Sequence, residues 1–121
     1  MIKDQFDPKS INLSEFEGKF TDSAFLSCLG KDSKKLGEKL VYDALKLYFC
    51  HKSDKTPMFE KSRIAGALGY LSAEYDAIPD TMPVFGLKDD EAVIAMVLSE
   101  VAQHIDESVE TAAKQKLALY F

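Results

Sequence analysis

The stretch of sequence that decides the fold is residues 76–90, which read DAIPDTMPVFGLKDD. Pro79, Pro83 and Gly86 favour fixed turn conformations of the backbone. The apolar side chains between them are unusual for a solvated loop, so the stretch is expected to fold back onto a core. Apolar residues recur at helical spacing on both sides of it. The stretch is therefore predicted to be a Pro/Asp-rich corner between two long antiparallel helices.

The whole chain predicts an all-α fold, a compact bundle of about four to six helices. Its 121 residues suit one domain. Residues 1–10 are polar and contain Pro8, so they are predicted to be a flexible N-terminus, and residues 11–121 a single helical domain.

Capping residues and glycines set the predicted helix bounds. A short helix follows Asn12 or Ser14, and a second begins at Thr21 or Asp22 and ends at Gly30. A long helix begins at Asp32 or Ser33 and ends near His51. Another runs from Pro57, capped by Thr56, to Ser72 or Glu74, and the last begins at Lys88 or Asp89 and continues toward Phe121, with a possible break near Glu107 or Ser108.

The helix before the corner is predicted to form the buried centre of the fold, with Met58 and Ile64 on its apolar face. Its middle contains Gly66 and Gly69. Each glycine inside a helix costs roughly 1 kcal/mol relative to alanine. The pair is therefore expected to let another helix approach closely.

The charge is unevenly distributed. Residues 1–63 carry twelve basic and ten acidic side chains, a net charge of +2, whereas residues 64–121 carry three and ten, a net charge of −7. This acidic half argues against nucleic acid as a partner and disfavours an anionic membrane surface. The chain shows no secretory signal pattern, and Cys28 and Cys50 are predicted to be free buried thiols, so a cytoplasmic location is expected.

Residues 45–98 resemble the YkvA-like family of small bacterial helical domains of uncharacterised function. The resemblance rests on a motif of prolines, aspartates and apolar residues at the family's spacing. Its members here are Asp76, Ile78, Pro79, Asp80, Pro83, Val84, Gly86, Asp89 and Asp90. The resemblance implies a helical fold but no reaction. Glu74 stands where the family has proline, which weakens the membrane association suspected for some relatives.

The acidic corner has two interpretations. Asp76, Asp80, Asp89 and Asp90 can supply the hard oxygen ligands that Mg²⁺ or Ca²⁺ prefers. Alternatively, Asp89 and Asp90 stabilise a helix N-terminus, by roughly 0.3–1 kcal/mol each, while Asp76 and Asp80 satisfy backbone amides at helix ends. We favour the structural interpretation because helix caps are far commoner than metal sites, and no other cofactor is expected.

No catalytic grouping is recognisable, and His51 and His104 lack a zinc-ligand pattern. The preferred hypothesis is a non-enzymatic protein-interaction module that binds another protein or forms a homo-oligomer. Its predicted contact residues are Met82, Phe85, Leu119, Tyr120 and Phe121. The alternatives are a cation-dependent activity at the acidic corner and, more weakly, peripheral membrane binding through the apolar residues of that corner.

Overall fold

A computed structural model describes the backbone of residues 7–76 and 87–121 and the side chains of residues 7–73 and 90–121. Every regular element in these ranges is a helix, which confirms the predicted all-α fold. In these ranges, five α-helices, α1 to α5, span Asp22–Leu36, Glu38–Lys52, Met58–Asp76, Leu87–Glu100 and Glu107–Leu117. Three short 3-10 helices of the same described residues span Pro8–Ser10, Leu13–Lys19 and Ala102–His104, and Leu13–Lys19 is called the 3-10 segment hereafter.

The centre of the fold is shared by α2 and α3. α2 contacts each of the other four α-helices, and α3 contacts α1, α2, α4 and the 3-10 segment. The buried side chains of α2 recur at helical spacing, and those of α3 face them across the core. The fully buried members of this core include Phe25, Leu29, Val41, Leu45, Leu47, Ile64, Leu68, Leu71, Val93, Ile94 and Val97.

The two glycines of α3 lie against the 3-10 segment. A Cβ atom added at Gly66 would be 2.6 Å from the carbonyl oxygen of Leu13, and one added at Gly69 would overlap the carbonyl oxygen of Phe16. The Phe16 ring then packs edge-on against Tyr70, with 5.2 Å between ring centroids. The expected close approach is confirmed, and the element that makes it is the 3-10 segment.

The predicted helix end at Gly30 is wrong, because α1 continues through this residue to Leu36. Thr21 caps the helix as predicted, since its hydroxyl accepts a hydrogen bond of 3.0 Å from the Ala24 amide. The chain breaks instead at Gly37, whose φ of 89° lies in the region that side-chain-bearing residues rarely adopt. The helix predicted to begin at Asp32 or Ser33 is thus the last turn of α1 followed by α2.

The last predicted helix is divided into two. α4 ends at Glu100, earlier than the break suggested near Glu107 or Ser108, and a 3-10 turn separates it from α5. Asp106 is the N-cap of α5, because its carboxylate accepts a hydrogen bond of 3.0 Å from the Val109 amide. The apolar face predicted for the first part is confirmed by the burial of Val93, Ile94 and Val97.

The chain N-terminal to the domain is described from Asp7 onward. Pro8–Ser10 forms a 3-10 turn that contacts α4. Asp7 caps this turn, since its carboxylate accepts a hydrogen bond of 2.9 Å from the Lys9 amide. The turn therefore lies against α4, and the chain continues from it into the 3-10 segment.

Candidate functional site

The acidic corner is described only at its two ends. Asp80, together with Pro79, Met82, Pro83, Phe85 and Gly86, lies outside the described residues, as do the side chains of Asp76 and Asp89. Asp90 lies in the first turn of α4, and its side chain is buried, with 1% of its surface exposed. A carboxylate in the first turn of a helix is stabilised by the helix dipole.

Metal-ligand groupings do not occur in the part of the chain whose side chains are described. There, no three His, Cys, Asp or Glu side chains are close enough together to hold a metal ion. Burial lowers the pKa of the His51 imidazole, and Lys61 and Lys52 lower it further. The His51 ring packs edge-on against Phe20, with 5.1 Å between ring centroids, so this histidine packs at the edge of the core.

Cys28 and Cys50 do not form a disulfide, and both are buried, as predicted. The Cys50 thiol lies 3.4 Å from the hydroxyl oxygen of Thr56, and burial raises the pKa of this thiol. Thr56 does not have the capping contact predicted for it. Its hydroxyl instead donates a hydrogen bond of 2.7 Å to the carbonyl oxygen of Cys50, which ties the loop before α3 to the end of α2.

The three tail residues predicted as contacts have different environments. Tyr120 packs against the core, and burial raises the pKa of its phenol. The Lys34 ammonium donates a hydrogen bond of 3.0 Å to the carbonyl oxygen of Tyr120 and lies 4.7 Å from the centre of the Phe121 ring. Leu119 points to solvent with 72% of its surface exposed. The tail therefore contacts α1 through Lys34, while Leu119 and, to a smaller extent, Phe121 at 43% remain exposed.

A second exposed apolar site was not predicted. Met58 and Phe59, in the first turn of α3, are 75% and 73% exposed. The prediction that Met58 faces the core is wrong for a geometric reason. At about 100° per residue, positions 58 and 59 lie roughly 120–140° around the helix from the buried Ile64. That angular offset is the sequence signal that could have identified them.

Phe59 forms one wall of a groove of about 650 Å³. The groove lies between the 3-10 segment, the start of α3 and the end of α4. Its apolar lining consists of Phe59 with Ile11, Leu13 and Val101, of which Leu13 and Val101 are buried. We call it the Phe59 groove; Met58, one residue earlier on the helix, does not line it.

Charged side chains surround this apolar lining. Arg63 and Glu100 form a two-pronged ion pair between α3 and α4, with both N–O distances 2.9 Å. The hydrogen bonds to Glu100 raise the pKa of the Arg63 guanidinium. Two further carboxylates, Glu17 and Glu60, line the groove, and neither forms an ion pair with any residue whose side chain is described. The groove thus combines an apolar lining with an excess of negative charge.

Comparison with known families gives a match in the second half of the chain. A family described as "Protein of unknown function (DUF1232)" matches residues 60–96, which extend from α3 through the corner into α4. This match lies inside the 45–98 region where the sequence resembles an uncharacterised helical family, and it confirms the likeness to a family of unknown function. No curated protein and no solved structure matches the chain. In the described part, no helix has the length and apolar character needed to cross a bilayer.

Proposed function

We propose that this chain is a helical protein-interaction module and that the Phe59 groove is its contact surface. The observation that carries the proposal is the exposure of Phe59, 73% of whose surface is in contact with solvent beside an apolar depression. Scattered apolar side chains are common on protein surfaces. An exposed aromatic ring that borders a concave apolar surface is instead typical of a binding site.

The energetic argument depends on what Phe59 gains when it is covered. Burying a phenylalanine side chain stabilises a complex by about 1.5–3 kcal/mol. Phe59 lies on the first turn of α3, whose buried residues Ile64 and Leu68 anchor the helix in the core. A partner therefore meets a ring on a rigid element, and less free energy is needed to order the site when the complex forms.

Site-specific photo-crosslinking in the cells that produce the protein tests the proposal. A photoreactive phenylalanine analogue replaces Phe59 in one variant and Thr111, an exposed position on α5, in a control. We expect a discrete crosslinked product at position 59 and none of the same mass at position 111. A product of twice the chain mass would identify a second copy as the partner. The same pattern at both positions, or no product at position 59, would refute the proposal.

A second candidate function is Mg²⁺ or Ca²⁺ binding at the acidic corner. Its support is the grouping of four aspartates, Asp76, Asp80, Asp89 and Asp90, within fifteen residues of the sequence. Their carboxylates are the hard oxygen ligands that such cations prefer. The alternative is that these carboxylates only cap helices, and a thermal-shift measurement with and without the cation distinguishes the two.

A further inference from the structure

We propose that the Phe59 groove binds a short segment of another protein in which an aromatic or aliphatic anchor side chain is flanked by lysine or arginine. This inference rests on the proposed function and adds the chemistry of the partner. It follows from three features of the groove: its apolar lining, its carboxylates and its rigidity.

The apolar lining selects the anchor. Ile11, Leu13, Phe59 and Val101 come from three different parts of the chain and line one depression of about 650 Å³. This volume falls in the range of roughly 300–1,000 Å³ that is typical of pockets that bury a ligand. An apolar side chain placed there covers the exposed Phe59 ring and buries its own surface against the apolar lining.

The carboxylates select the flanking residues. Glu17, Glu60 and Glu100 line the groove together with a single guanidinium, that of Arg63. Arg63 is already committed to Glu100 through two hydrogen bonds of 2.9 Å. Glu17 and Glu60 are therefore available to an incoming cation, and an acidic segment would meet repulsion from both. Complementary charge gives such a site specificity and a faster association rate.

The groove is held in shape before a partner arrives. The Arg63–Glu100 pair links α3 to α4 across it. On the other side, the contacts of Gly66 and Gly69 fix the 3-10 segment against α3. Because both walls are fixed, the cost of ordering falls mainly on the bound segment, which favours a short one.

Selection of peptides from a randomised display library on the intact protein tests the inference. We expect the selected peptides to combine an aromatic or aliphatic residue with nearby lysine or arginine. Phe59→Ser should weaken their binding by at least about tenfold, as loss of an aromatic anchor does. The pair Glu17→Gln and Glu60→Gln should weaken it by about two- to fivefold and reduce its salt dependence.

Two controls distinguish binding in the groove from nonspecific apolar contacts and from nonspecific electrostatic attraction. Met58→Ser removes an equally exposed apolar side chain that does not line the groove, and the pair Glu107→Gln and Glu110→Gln removes two exposed carboxylates on α5. Neither should change binding by more than about twofold, in keeping with the small energies of surface contacts outside a binding site. All variants are compared at equal helix content by circular dichroism.

The outcomes distinguish the two proposals. Peptides that need Phe59 but lack basic residues, or that bind equally well after the substitutions at Glu17 and Glu60, would refute the partner chemistry and leave the interaction module standing. Selection of no peptide, or of peptides unaffected by Phe59→Ser, would refute the groove as a peptide site. Failure of the crosslinking at position 59 in cells would refute the module itself.

Discussion

At the scale of single residues, the two glycines of α3 are in close contact with the backbone of the 3-10 segment. Gly66 and Gly69 have no side chain, so the backbone carbonyls of Leu13 and Phe16 occupy the space where a Cβ atom would be. Both neighbours are backbone atoms and cannot move aside as a flexible side chain would. Helical Gly30 differs, because a Cβ added there would meet nothing within 4 Å.

Gly69→Ala and Gly30→Ala are therefore expected to have opposite effects. Gly69→Ala should lower the free energy of unfolding by about 1–3 kcal/mol, because overpacking against Phe16 outweighs the gain in helix propensity. Gly30→Ala should raise it by up to about 1 kcal/mol, since only the propensity changes. Urea denaturation followed by circular dichroism measures both. Equal stability of the two variants would contradict the close packing described here.

The residues of the candidate site were less predictable than those of the core. The burial of Ile64 and Leu68 follows from helical spacing alone. The same spacing could have predicted that Phe59 lies outside the apolar face, but it could not have predicted the groove beside Phe59. The groove depends on Ile11 and Val101, which are distant from Phe59 in sequence and meet it only after the helices have packed.

At the scale of the elements, the sequence predicted helices correctly and misplaced several of their ends. Gly30 was predicted to end a helix, but the positive φ that favours glycine at a helix end occurs at Gly37. Similarly, α4 ends at Glu100 although no proline or glycine is nearby. Tertiary contacts and the Asp106 cap, more than local propensity, determine that break.

In the last turn of the chain, the Tyr120 side chain packs against the core, whereas the Leu119 side chain is exposed. Tyr120→Ala should lower the free energy of unfolding by about 1–2 kcal/mol, because it removes a half-buried ring from the core edge. Leu119→Ala should change it by less than about 0.5 kcal/mol, since Leu119 is 72% exposed. Thermal and urea unfolding measure both.

The stability losses of Leu119→Ala and Tyr120→Ala together show which side chain holds the tail to the rest of the protein. A larger loss at Leu119 than at Tyr120 would show that the tail docks through its other face. A loss at Leu119 that grows with protein concentration would instead show that this residue is covered by a second copy, because stabilisation by a partner depends on its concentration.

At the scale of the whole molecule, the net charge of −5 is the sum of +2 for residues 1–63 and −7 for residues 64–121, which include the acidic corner. Such a charge distribution attracts cations in general through the field of the whole chain, so a specific site must be separated from simple screening. The measurement that does this compares a divalent cation with sodium chloride at the same ionic strength.

If the acidic corner binds Mg²⁺ or Ca²⁺, adding either cation should raise the melting temperature of the protein. At ten times its dissociation constant, a ligand specific for the native state stabilises it by about 1.4 kcal/mol. For a domain of this size the gain corresponds to a shift of about 5 °C. The shift should disappear in the pair Asp80→Asn and Asp89→Asn and persist in the pair Glu107→Gln and Glu110→Gln. An unchanged shift in the first pair, or none in the parent protein, would leave the aspartates with a capping role only.

The contact between α3 and the 3-10 segment has a consequence for other proteins that contain a region like residues 60–96. This matched region contains both glycines, but Leu13 and Phe16, which fill the notch they leave, come from outside it. A chain that carried the region with a different N-terminal part would have an open slot along one side of the helix. It would need another strip of backbone, its own or from a neighbouring molecule, to close that slot.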